Sequence, residues 1–118
     1  MNKTHTQILK QIADAKGTFF KDYRYYCNEL KTAAEETLGE ARVIVFGSVV
    51  RGQHGPGSDI DVLVISKNMP DSLEERRWVK AGLNSLFDML CPLQIHLANP
   101  REYEEWYKKF IREEYQEI

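Results

Sequence analysis

Val43-Ile44-Val45-Phe46-Gly47-Ser48-Val49-Val50-Arg51-Gly52, the loop that follows, and Asp59-Ile60-Asp61-Val62-Leu63-Val64-Ile65 form the stretch whose reading decides the fold. Val43 to Phe46 is apolar at every position, as a strand covered on both faces should be. The strand stops at Gly47-Ser48. Glycine there lets backbone approach a ligand closely, and a serine at a new helix start offers a hydroxyl and free N–H groups, a combination suited to phosphate. Arg51 lies about one helical turn on and can reach the same anion as a forked donor. Gly52-Gln53-His54-Gly55-Pro56-Gly57-Ser58 is a loop rich in turn residues that delivers the chain into Asp59-Ile60-Asp61. Alternation along a strand sends residues i and i+2 to one face, so Asp59 and Asp61 converge. Adjacent carboxylates repel, and a hard cation such as Mg²⁺ relieves that cost while taking substrate phosphates into its shell.

Outward from this centre, capping chemistry predicts three helix starts. Thr4 with Gln7, Ser72 with Glu75 and Asn99 with Glu102 each set a short polar side chain three residues before Glu or Gln, and Pro100 suits a first helical position. Behind them run helical stripes: Phe19, Tyr23, Cys27, Leu30, Ala34 and Leu38; Val79, Leu83, Leu86, Phe87 and Leu90; Tyr103, Trp106, Tyr107, Phe110 and Ile111. All three read as core faces. Gly39 reads as a helix stop, and Gly17 as a division of the N-terminal helical region. Leu93 to Leu97 alternates cleanly as a third strand. The order helix, strand, loop, strand, helix, strand, helix implies an α/β (α+β) domain with a small sheet and helices packed on it.

The chain of 118 residues reads as a single domain, with residues 1–39 a helical region and 40–118 the core that carries the motif. Its 42% hydrophobic and 29% charged composition is that of a globular protein. No apolar run approaches ~18 residues and no hydrophobic region follows Met1 to Thr4, which argues against a membrane span and a secretory signal, and the cytoplasm is expected. A net charge of −2 argues against an extended nucleic-acid surface. Cys27 and Cys91 lack metal-ligand spacing and read as two buried thiols. Glu74-Glu75-Arg76-Arg77 and Glu113-Glu114 read as solvated helix faces, and His54 as an exposed, mobile loop residue. The N-terminal aromatics, Phe19, Phe20, Tyr23, Tyr25 and Tyr26, cannot all face one core, which favours an oligomer or a partner.

Gly47-Ser48, ten intervening residues and Asp59-Ile60-Asp61 resemble the signature of the minimal nucleotidyltransferases of the DNA polymerase β superfamily, and the likeness extends from about Ala41 to Ser66. The resemblance implies a nucleotidyltransferase fold, with a small mixed sheet of three to four strands flanked by helices, and Mg²⁺ of the two-metal type acting with ATP or another NTP. Gly47, Ser48, Arg51 and Ser58 would hold the nucleotide, and Asp59 and Asp61 the metals. The family's third carboxylate falls at Gln94, whose amide brings no charge and takes no proton. His96 shares its face as a substitute base, and Asp88 could supply charge only from a helix packed over the site. The resemblance also implies a toxin–antitoxin pair, in which this chain would be the antitoxin and add AMP to a tyrosine of a HEPN-like partner toxin. The rival reading is a binding or antitoxin module that has lost its chemistry at Gln94. A third is a sensor that binds Mg·NTP without turnover.

Overall fold

The three predicted caps and the Gly39 stop are present in the computed structural model, which describes residues 4–55, 58–88, 90–111 and 114–118. Pro56 and Gly57 of the glycine loop, and Glu113, lie outside the described residues. Helix α1 (His5–Lys21) opens with a reciprocal Thr4–Gln7 capping box, and α2 (Tyr23–Leu38) closes at Gly39, whose φ of 90° favours glycine. The division between them is at Asp22, not at Gly17. Thr18 accepts the Asp22 N–H, and the Asp22 carbonyl accepts from Tyr25 to begin the next helix. Ser72 caps α3 (Leu73–Asn84) through the Glu75 N–H.

Four strands form one mixed sheet in the order β3-β2-β1-β4. β1 (Arg42–Phe46) runs antiparallel to β2 (Ile60–Ile65), which runs parallel to β3 (Leu93–Ala98). β4 (Tyr115–Glu117), unforeseen in the sequence, adds antiparallel to β1. It is held by side chains far away in sequence: Arg42 donates twice to Glu117, and the Tyr23 hydroxyl donates to Gln116 at 2.8 Å.

Both faces of the sheet are apolar. On one, Val43, Val45, Val62, Val64 and Ile95 meet Cys27, Leu30, Ala34 and Leu38 of α2 and Leu83 of α3. On the other, Ile44, Phe46, Leu63 and Ile65 meet Tyr103 and Ile111, carried by a helical segment that begins at α4 (Pro100–Glu102), with Asn99 and Glu102 in a second capping box. It widens into a π turn (Tyr103–Tyr107) and ends as α5 (Lys108–Ile111). The expected stripe is split there. Tyr103 and Ile111 are buried, whereas Trp106 and Phe110 are each 69% exposed, because the wider turn takes residues out of the 3.6-residue register. Leu86 and Leu90 lie beyond the end of α3 and are exposed too.

Two further expectations change. Arg76 is not a solvated residue: its guanidinium reaches over to Glu102 in a bidentate pair at 2.8 and 3.1 Å. Of the cysteines only Cys27 is fully buried, Cys91 being half-buried; burial pushes the Cys27 thiol up to about 12 and raises Cys91 as well. Among the described residues, no helix is long and apolar enough to cross a membrane.

Candidate active site

β1 delivers Phe46 to the end of the sheet, and Gly47 follows with φ of 88°. A Cβ on Gly47 would stand 2.8 Å from Oδ2 of Asp61. The backbone at this point therefore closes onto the carboxylate only because no side chain is there. Ser48 to Gly52 is a run of turns, not the expected helix start: Val50 donates to Gly47, Gly52 to Val49 and Gln53 to Ser48. Among the described residues the N–H groups of Ser48 and Val49 have no backbone acceptor, so an anion here would meet turn amides and not a helix dipole.

The loop returns on its own brackets. The Ser58 hydroxyl accepts from the Gly55 N–H at 2.8 Å, and the His54 ring stacks on Phe20 with centroids 4.4 Å apart, so His54 is seated against α1. Asp59 is exposed, one residue before β2 begins, and Asp61 is half-buried inside it. Parallel pairing sets Gln94 directly beside Asp61. His96, two residues on, brings Nε2 to 3.5 Å from Asp61 Oδ1 and lies between the rings of Phe46 and Tyr107. Burial raises the Tyr107 hydroxyl above its ordinary value. The position expected of a third carboxylate is thus beside Asp61 and filled by an amide. Asp88 does not compensate, because it lies with Ala15, Thr18 and Phe19 near α1.

Arg51 stands at the far side of the turn, 3.5 Å from Glu114. That partner was invisible in the sequence, since Glu114 read as a helix face and instead sits on the approach to β4. The carboxylates of Asp59 and Asp61 are hard oxygen donors of the kind Mg²⁺ takes. Among the described residues no three Asp, Glu, His or Cys side chains gather closely enough to hold an ion by themselves. A cation here would complete its shell with phosphate oxygens, the amide oxygen of Gln94 and water.

Comparison with known proteins falls on this region. Residues 27–118 match the family described as a nucleotidyltransferase domain. Over 39 residues the chain is 46% identical to a protein of Methanocaldococcus jannaschii named "putative protein adenylyltransferase", a match covering 33% of this chain and 39% of that relative's length. Two crystal structures share the fold. One, named "putative nucleotidyltransferase", is 28% identical with a TM-score of 0.60, over 77% of this chain and 95% of that one. The other, a Sulfolobus solfataricus protein of similar name, is 16% identical with a TM-score of 0.55, over 99% of this chain and 89% of that one.

Proposed function

The chain belongs to the nucleotidyltransferase domain family, and so to the enzymes of nucleotidyl transfer; from that premise we propose that it moves AMP from ATP, with Mg²⁺, to a hydroxyl on a protein partner, releasing pyrophosphate. The observation that carries the reading is the closure of Gly47 onto Asp61 with Gln94 and His96 alongside. The turn amides and hydroxyl of Ser48 hold the terminal phosphates, and Arg51 adds a forked charge. Mg²⁺ held by Asp59 and Asp61 would neutralise charge on the phosphates and align the attacking and leaving oxygens. Gln94 orients through its amide but takes no proton, which leaves His96 as the basic side chain beside Asp61.

A protein acceptor is favoured by the name of the Methanocaldococcus jannaschii relative and by the net charge of −2, which argues against an extended nucleic-acid surface. By family resemblance the partner is a HEPN-like toxin and the acceptor a tyrosine. α1 is the surface offered to it or to a second copy, since Ile8 and Leu9 are turned to solvent. The cytoplasm remains the expected compartment.

The test is transfer of label from α-labelled ATP into partner protein and into a lysate. The unaltered chain labels a protein band, Asp61→Asn labels none, and Gln94→Asp labels at lower Mg²⁺. Label that appears only with Gln94→Asp would return the protein to the binding-module reading.

A further inference from the structure

The exposed half of the aromatic run has no part in the chemistry above. Trp106 and Phe110 line an open cleft of about 1040 Å³ together with Arg51, Lys108, Lys109 and Glu114. Two large rings held against water on one short helical segment are an unspent apolar surface. Among the described residues its lining sets three cations against one carboxylate, which makes the cleft attractive to an anion. It is also continuous with the phosphate turn. Arg51 is three residues after Ser48, and Phe110 meets Phe46, the residue before Gly47, with ring centroids 6.2 Å apart. The pairs that engage its cations are exposed and weak: Arg51 with Glu114 at 3.5 Å and Lys108 with Glu104 at 3.3 Å. A polyphosphate can displace both carboxylates.

We propose that this cleft is the base site, in which the ring of the nucleotide stacks on Trp106 and Phe110 while its phosphates reach back to Arg51 and the Gly47-Ser48 turn. The proposal rests on the nucleotidyltransferase reading. It adds a specificity. Stacking uses the face that every base has, so it discriminates by ring area and not by hydrogen-bond pattern. ATP and GTP therefore bind within about threefold of each other, and pyrimidine nucleotides more weakly.

The test uses the full chain carrying Trp78→Phe, which leaves Trp106 as the reporter, since the sequence has two tryptophans and Trp78 is itself exposed on α3. ATP, GTP and inorganic tripolyphosphate are titrated by tryptophan fluorescence, with labelled ATP measured in parallel by equilibrium dialysis. ATP and GTP should quench Trp106, and tripolyphosphate should compete without quenching. Trp106→Ala and Phe110→Ala should each weaken ATP by about tenfold and leave tripolyphosphate unchanged. ATP bound in dialysis with no quench and no loss in either variant overturns the base site while sparing the nucleotidyltransferase reading. No binding of ATP or tripolyphosphate overturns both. An oligonucleotide that quenches at lower concentration than ATP gives the cleft to a polynucleotide and overturns the proposal.

Discussion

Gly47 carries two constraints that a side chain would break together. Its φ of 88° costs an L-residue about 1–2 kcal/mol, and its added Cβ would press Asp61 Oδ2 from 2.8 Å. Gly47→Ala should therefore lower stability by about that amount in thermal or urea unfolding. It should also cost more than tenfold in nucleotidyl transfer, because Asp61 must turn away. His96→Ala keeps Asp61 in place on β2 but removes the neighbouring base; a fall in transfer of about 10²-fold, with ATP affinity held, is the expected split. The pairing of strand-end glycine with D-x-D was legible because each residue type has a narrow physical use. Gln94 was legible as a departure, and the parallel register now sets it level with Asp61. Glu114 was not, because its partner Arg51 is brought to it only by the folded chain.

At the scale of elements, the caps and the first three strands could be read from neighbours a few residues apart, and the structure has them within a residue of their expected ends. What was missed depends on distant partners or on helix pitch. β4 has no local signal; Glu117 answers Arg42, and Lys31 donates to the Ile118 carbonyl at 2.9 Å. The π turn needs one residue more than an α-helix, which heptad-like counting does not detect. The π turn already absorbs one extra residue, so a second one inserted after Tyr107 would swing Lys108–Ile111 by about 100°, taking Ile111 out of the core. A loss of about 2–4 kcal/mol is expected in urea unfolding. Acid should act on the same segments. Hydrogen bonds from Arg76 hold Glu102 below the usual carboxylate range, and those from Arg42 do so for Glu117. Their contribution is complete above the ordinary glutamate range and is lost as pH falls through each lowered native value. Glu102→Gln should flatten that part of the acid-unfolding curve.

The whole molecule measures 51 × 30 × 22 Å with a radius of gyration of 15.5 Å, against about 13.5 Å for a compact chain of this length. The excess is α1, which meets the body through Phe19 and Phe20 and leaves most of its length to solvent. Amides of residues 8–14 should exchange far faster than those of β1 and β2 in hydrogen-exchange measurements, and binding of a partner or second copy to α1 should slow them. Overall shape was the least legible property, since sequence shows which helices exist and not how much of each the sheet can cover. One boundary of that sheet has a cost of its own. β3 ends the sheet on one side and the three residues of β4 on the other, so among the described residues β4 alone pairs with the outer edge of β1, an all-apolar run from Val43 to Phe46. Peeled away by a nick or a truncation after Glu114, it would leave a β-prone edge of unpaired amides open to other molecules. Chains shortened there should scatter light on gentle warming well before they unfold: β4, too short to add much stability, serves as a guard on solubility.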